Sequence, residues 1–333
     1  MICESLLAIA IAAAVPAVAL AQVTVFGIMD NGFNTTTVKT GTTEVTRTQT
    51  GGLGAGALSS NRIGFRGTEK IGDLTAGFHY ELGMDSGGAG DLSTTGGVRQ
   101  STVSLSGGFG TIQIGRDYTP IFSLSCSLDT AACSNVQEGK AVYLNGAAPV
   151  TTVRNRGQIM YISPAMGGLT ARIAVTNRSS DPNTNGDVES TGGSLVYNAG
   201  PLMLGIGINT QKTFSSATAS VKREEMIIGG SYMINKQLSI QVQHGDLKTG
   251  SVDTYKGIQI GARFDVTPNI RAFGSFGSGD GAVGDFEGFN VGIANSLSKR
   301  TRLYATYGQD ELKRAGSPTR ERSQFAVGIN HAF

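Results

Sequence analysis

From residue 22 onward one pattern dominates the chain: segments of roughly ten residues alternate apolar with small or polar side chains at period two, and turn signals separate them. No segment of comparable length keeps the 3.6-residue period of an amphipathic helix, so the alternation predicts an all-β protein. Turn signals place sixteen strands, near 22–34, 60–69, 74–84, 98–106, 109–117, 153–163, 169–178, 191–199, 201–211, 223–234, 237–247, 254–266, 269–279, 285–297, 300–310 and 321–333. The 48 glycines among 333 residues suit so many turns.

The connections alternate in length. After the even-numbered strands they are tight, as at Lys70–Asp73, Gly107–Gly108, Gly200, Asn235–Lys236, Thr267–Pro268 and Ser298–Lys299. After odd ones they are long and polar, as at Thr35–Ser59, Asp85–Gly97, Ser179–Ser190 and Glu311–Arg320. An antiparallel meander with two such different ends fits a barrel that crosses a membrane, with short turns on one side and long loops on the other. Soluble sandwiches show no such asymmetry as a rule.

Strand faces point the same way. In the last strand Phe325, Val327, Ile329 and Phe333 share one parity, and Gln324, Ala326, Gly328, Asn330 and Ala332 the other. Ile258, Ile260 and Phe264 likewise stand against Gln259, Gly261 and Arg263. A large membrane barrel turns the first set to lipid and the second to water. Tyr80, Tyr161, Tyr197, Tyr232 and Tyr304 are candidates for the aromatic girdles, although the chain has no Trp.

Charge and cysteine content exclude other classes. Charged residues make up 16% of the chain with a net +2, which is neither a disordered nor a nucleic-acid-binding balance. Beyond the first two dozen residues no apolar run reaches 18, so a bundle of membrane helices is excluded. Leu6–Ala21 is almost entirely Ala, Ile, Leu and Val and closes with Ala19-Leu20-Ala21, which predicts an export signal over residues 1–21 cleaved after Ala21; the positive start usual for such a signal is missing, since Met1–Ser5 carries only Glu4. Cys126 and Cys133 remain after cleavage and meet an oxidising compartment, where they either pair or stay as free thiols. His79, His244 and His331 are scattered, so no metal site and no cofactor is expected.

Five motifs resemble the Gram-negative general porins, particularly those of β-proteobacteria. They are Gln22-Val23-Thr24-Val25-Phe26-Gly27-Ile28-Met29-Asp30, Ser60 to Glu69 (SNRIGFRGTE), Leu105 to Thr111 (LSGGFGT), Gly115 to Pro120 (GRDYTP) and the terminal Val327 to Phe333 (VGINHAF). The resemblance spans residues 22–333. It implies a homotrimer of sixteen-stranded antiparallel transmembrane β-barrels in the outer membrane of a Gram-negative bacterium, in contact with lipid and lipopolysaccharide. It also implies an inward-folded third loop and reading of the terminal Phe333 by the barrel-assembly machinery.

The long segment 118–152 fits that third loop, the constriction loop of the family. The family's Pro-Glu-Phe-Gly stretch is absent, and Cys126 to Cys133 stands in its region. The resemblance assigns the acidic wall of the constriction to Asp129 and Glu138, whose bland alternative is solvated loop charge. The opposing wall should be basic. With Ile63 and Phe65 turned to lipid, Arg62 and Arg66 point into the lumen; Ile159 and Tyr161 do the same for Arg154 and Arg156. Arg62, Arg99 and Arg154 match basic family positions, but strict alternation from Val103 and Leu105 turns Arg99 outward, so it needs a bulge or a place above the lipid. With arginine outnumbering carboxylate, the expected function is passive diffusion of small hydrophilic solutes and ions with a preference for small anions. No Gly-x-Ser-x-Gly motif is present and Gly51–Gly56 has no helix behind it, so neither a hydrolase nor a phosphate-cradle reading is supported. A substrate-specific channel and a surface adhesin or receptor barrel are the rival readings.

Overall fold

A strand at the edge of a sheet leaves a row of backbone N–H and C=O groups unpaired, and a sheet has no free edge only when it closes on itself. The computed structural model describes residues 23–50, 57–84, 97–131, 133, 152–178, 187–216 and 218–333. The expected export segment 1–21 lies outside the described residues. Seventeen strands follow in order: β1 (Thr24–Thr40), β2 (Thr43–Thr50), β3 (Arg62–Ile71), β4 (Leu74–Gly83), β5 (Val98–Gly107), β6 (Gly110–Tyr118), β7 (Arg154–Ile162), β8 (Leu169–Thr176), β9 (Asp187–Ala199), β10 (Leu202–Phe214), β11 (Ser220–Met233), β12 (Leu238–Thr249), β13 (Val252–Asp265), β14 (Ile270–Asp280), β15 (Asp285–Ser296), β16 (Thr301–Lys313) and β17 (Arg320–Ala332). A helix, α1 (Pro120–Leu128), follows β6.

From β3 onward each strand pairs antiparallel with the next, and β17 returns to β1 from Ile28 opposite Ala332 to Thr40 opposite Arg320. The ring is sealed at its seam by two hydrogen bonds of 3.1 Å between Gly27 and Phe333, each backbone N–H donating to the other's carbonyl. β1 pairs with β3 along Thr24–Ile28 and with β2 along Phe33–Thr40, so β2 and β3 share one place in the wall. The barrel is therefore sixteen-stranded, as expected.

One loop differs from expectation. The polar stretch Thr35–Ser59 does not begin as a loop: β1 continues to Thr40, turns at Gly41 in the left-handed region (φ 60°) and returns as β2. Cross-strand threonine pairs hold this hairpin, Thr37 to Thr46 at 2.9 Å and Thr35 to Thr48 at 3.2 Å between hydroxyls. Both faces of β2 are exposed, so no apolar alternation marks it as strand.

The two faces divide as alternation predicts. Phe325, Val327 and Ile329 are exposed on the outside, whereas Ala326 and Asn330 are buried within. Ile258, Ile260 and Phe264 are exposed while Gln259 is 2% exposed. Tyr161, Tyr197 and Tyr232 also face outward, within a few residues of the short-turn ends of their strands, and the Tyr161 hydroxyl donates to the Phe109 carbonyl at 2.7 Å. Tyr304 is a correction: it points inward and is 5% exposed.

The helix is a second correction, since none was expected. Thr119 caps it, its hydroxyl accepting from the Phe122 N–H at 3.3 Å, and Pro120 follows at the first helical position. At nine residues it is too short for its period to stand out, yet Ile121, Leu124, Ser125 and Leu128 form one buried face. Leu124 lies over Gly205 and Gly207, so close that a Cβ at Gly205 would stand 2.4 Å from Leu124 Cδ1. Because the neighbouring Leu204, Ile206 and Ile208 are exposed on the outside, these glycines face the interior, and α1 packs against the inner wall from β8 to β12. Residues 134–151, which carry the rest of the long loop, lie outside the described residues.

Candidate functional site

On β4 the exposed Phe78 and Tyr80 face outward, which turns Glu81 inward, where it is buried. A buried carboxylate needs partners, and arginines supply them. Arg99 Nε donates to Glu81 Oε1 at 2.5 Å, and an Arg62 guanidinium nitrogen stands 3.7 Å from the same oxygen. Arg62 is further anchored by its Nε, which donates to the Ser60 carbonyl at 3.0 Å.

Arg99 reaches this interior cluster because the strands slip. The register between β4 and β5 shifts between Glu81 and Leu82: Gln100 pairs with Glu81 and Val98 with Leu82, leaving Arg99 as the bulged residue. A bulge re-aims its side chain, which answers the outward parity that simple alternation implies.

Arg154 joins from β7. It donates to the Tyr118 hydroxyl at 2.6 Å, Arg99 donates to the same oxygen at 3.1 Å, and the Arg154 guanidinium lies 4.2 Å over the Tyr118 ring. That ring also stacks on Phe122 of α1, centroids 4.8 Å apart. Tyr118 thus ties the arginine group to the helix through one hydroxyl and one aromatic face. Arg62, Arg99 and Arg154 consequently form one group with Glu81 as the adjoining carboxylate.

The other predicted basic residues lie elsewhere. Arg66 points inward, four residues along β3 toward the short-turn end, with its guanidinium 5.1 Å over the Phe26 ring. It stands opposite His79 in register, and with Thr102, Gln113 and Asp117 they line a cavity of about 370 Å³. Arg156 stands outside the group around Glu81. Between β6 and β7 the register shifts, so that Arg156 and Gly157 on β7 lie opposite Arg116 alone. Gly157 takes φ 62°, the inward parity counted from Ile159 ends at Gln158, and Arg156 is exposed beside Arg116 rather than Glu81.

Of the predicted acidic wall, Asp129 alone lies among the described residues. Asp129 is 1% exposed, with one carboxylate oxygen accepting from Gln259 at 3.1 Å and the other from the Cys133 N–H at 2.8 Å. Arg263 clasps the same turn, donating to the carbonyls of Asp129 and Thr130. Asp129 therefore fastens the end of α1 to β13 and presents no free carboxylate to a channel. Glu138 lies outside the described residues.

Cys126 and Cys133 are bonded, with Cα atoms 5.0 Å apart. A loop this short removes roughly 2–3 kcal/mol of unfolded-chain entropy in the chain-entropy description. Arg263 and Gln259 hold the same turn without it, so Cys126→Ser with Cys133→Ser should leave mean single-channel conductance within about twofold while increasing open-channel current noise. Intact mass should rise by two hydrogens on reduction of the unaltered protein; no change in mass would show that the thiols are free in the isolated protein.

The loop that carries α1 is also fastened at its neck. The Thr119 N–H donates to the Val153 carbonyl at 3.1 Å, and the Thr152 N–H donates to Glu225 on β11 at 3.0 Å. Glu81, Tyr118 and Glu225 escape sequence reasoning because each stands singly in an alternating strand. Only the Thr119-Pro120 cap offers a local signal, and it points to the helix rather than to them.

Comparison with known proteins identifies the family and the fold. The family described as Gram-negative porin matches residues 8–315. Outer membrane porin protein 32 of Delftia acidovorans is 31% identical over 99% of each chain. The solved anion-selective porin from Comamonas acidovorans superposes with a TM-score of 0.76 at 26% identity, covering 94% of this chain and all of that one. OmpT of Vibrio cholerae in its trimer form shares the fold with a TM-score of 0.66 at 15% identity.

Proposed function

The chain belongs to the Gram-negative porin family and forms an outer-membrane channel, and from that premise we propose that Arg62, Arg99 and Arg154 form the basic side of an anion-preferring constriction. The observation that carries this reading is one connected group: Arg62 and Arg99 meet the buried Glu81, and Arg154 joins Arg99 on the Tyr118 hydroxyl. Three guanidinium groups beside one carboxylate leave an excess of positive charge where low-dielectric walls focus the field. α1, packed against the inner wall, narrows the lumen on the other side. Small hydrophilic solutes cross by diffusion in water with no bond made or broken, so no cofactor enters.

The export signal over 1–21, the recognition of Phe333 by the assembly machinery and the homotrimer belong to the same proposal. Support comes from the family, from the trimer form of a structural relative and from the way Phe333 closes the seam over Gly27, where its ring fills the place of a Cβ. The similarity to a porin named for anion selectivity favours this reading over a cation channel or a surface receptor.

The purified, refolded protein in a planar bilayer under a KCl gradient should show a zero-current potential of anion-selective sign. Glu81→Gln keeps the side chain's shape and removes its charge, and it should raise the anion-to-cation permeability ratio roughly two- to fourfold. A cation-selective potential in the unaltered protein would overturn the proposal; absence of conductance would favour the receptor reading.

A further inference from the structure

A second piece of chain is fixed to the inner wall roughly half the circumference away from α1. Where β2 gives way to β3, residues Ala57–Asn61 lie against the inner faces of β1, β16 and β17. Ala57 is 1% exposed and packs with Tyr304 and Ala326, with Leu58 and Ala294 beside them. α1 packs instead on β8 to β12. The sixteen-strand ring thus carries an inward-lying segment on two opposed sides.

Asp30 and Tyr304 hold this segment. Asp30 is 1% exposed and both its oxygens are engaged: Oδ1 accepts from the Tyr304 hydroxyl at 2.7 Å and Oδ2 from the Ser59 N–H at 2.6 Å. The Tyr304 oxygen in turn accepts from the Ala57 N–H at 2.9 Å. Asn61 closes the far end, its side-chain oxygen accepting from the Asp30 N–H and its carbonyl accepting from the Met84 N–H at 2.9 Å. A buried carboxylate with both oxygens hydrogen-bonded specifies one arrangement, because another leaves a buried oxygen without a donor.

The segment ends directly on the basic group. Ser60, next to the residue that Asp30 holds, offers its carbonyl to Arg62 Nε at 3.0 Å. The guanidinium of Arg62 is therefore clasped on one side by Glu81 and on the other by a backbone carbonyl whose position depends on Asp30 and Tyr304.

We propose that Asp30 and Tyr304 are positioning residues for the channel's selectivity: by fastening Ala57–Asn61 to the wall they set where Arg62 stands in the lumen. This rests on the assignment of Arg62 to the constriction made above. The pair touches no solute itself; it acts through Ser60 and Arg62.

The test is planar-bilayer recording on four refolded variants: Tyr304→Phe, Asp30→Asn, Arg62→Ala and Tyr304→Phe with Arg62→Ala, with Tyr307→Phe as an outward-facing control. Tyr304→Phe keeps the ring packed on Ala57 and Ala326 and removes only the hydroxyl, so a purely packing role would leave permeation unmoved. The expected result is a two- to fourfold change in the anion-to-cation permeability ratio with Tyr304→Phe or Asp30→Asn, more open-channel noise, and no further change when Tyr304→Phe is added to Arg62→Ala. If Tyr304→Phe does not fold, Asp30→Asn with and without Arg62→Ala carries the comparison, since a direct effect of the Asp30 charge would persist in Arg62→Ala whereas a positioning effect would not. Unaltered selectivity in a folded Tyr304→Phe or Asp30→Asn channel, with Arg62→Ala shifted, overturns the positioning role alone. Silence of Arg62→Ala overturns the constriction assignment beneath it. A shift in Tyr307→Phe as large as in Tyr304→Phe shows that loss of a tyrosine hydroxyl acts nonspecifically and also overturns the proposal.

Discussion

Replacing Arg62, Arg99 and Arg154 together by alanine is expected to turn the channel from anion-preferring to cation-preferring under a KCl gradient. At ~10 Å one unit charge acts on a permeating ion by about 0.4 kcal/mol in bulk water, and by about four times that at an effective dielectric near 20. The smaller figure already changes the local concentration of a monovalent ion roughly twofold, raising anions and lowering cations, so each arginine is worth about fourfold in the permeability ratio. Three of them outweigh a weak to moderate anion preference, and Glu81 is left behind without its partners. Salt screening should shrink the effect, since the Debye length falls from about 10 Å at 0.1 M to about 3 Å at 1 M. A permeability ratio within twofold of the unaltered channel at low salt would place the selectivity elsewhere in the lumen, with Arg66 beside His79 as the next group to change.

The second large effect concerns α1. Leu124→Asp should release the helix from the inner wall and admit larger solutes, seen as faster swelling of liposomes in a disaccharide relative to a monosaccharide and as higher single-channel conductance. Leu124 is 2% exposed and packs with Ile121, Leu128 and Ile227 over the glycines of β10. Burying such a side chain contributes about 2–3 kcal/mol, and placing an unpaired carboxylate there costs several more. The remaining fastenings, a Ser125 hydroxyl donating to Gln243 at 2.9 Å and the Arg263 clasp on the following turn, are polar and can exchange with water in the lumen. Leu124→Met conserves volume and should leave the swelling ratio unchanged. A folded Leu124→Asp channel that still excludes the disaccharide would mean that α1 does not limit the lumen.

Both experiments depend on residues that sequence reasoning reached unevenly. Arg62 was legible because Ile63 and Phe65 on either side of one inward step mark its parity. Arg99 was legible only as a contradiction, its basic family position set against outward alternation, and the bulge opposite Glu81 and Leu82 resolves it. For Arg156 parity gives no direction, because the count from Ile159 is valid only until the bulge at Arg156 and Gly157. Asp129 was misread because a carboxylate in a polar loop looks solvated until the loop is docked on Gln259 and Arg263. The strand count survived the error at Thr35–Ser59, since the extra hairpin strand β2 continues the line of β3 and adds no place to the ring.

Alternation at period two is a local property, and with the alternation of short and long connections it determined by itself that this chain is a closed sheet with an apolar outside and a polar inside. Bulges, a nine-residue helix and a second inward-lying segment leave almost no local trace, because each is set by contacts between residues far apart in the chain. Tertiary structure alone therefore decided which arginines meet, which carboxylate they share and which is spent on holding a loop. The physical reason is that the electrostatics of the lumen depend on distances of a few ångströms across strands, and a register slip of one residue changes those distances while leaving the sequence pattern nearly intact.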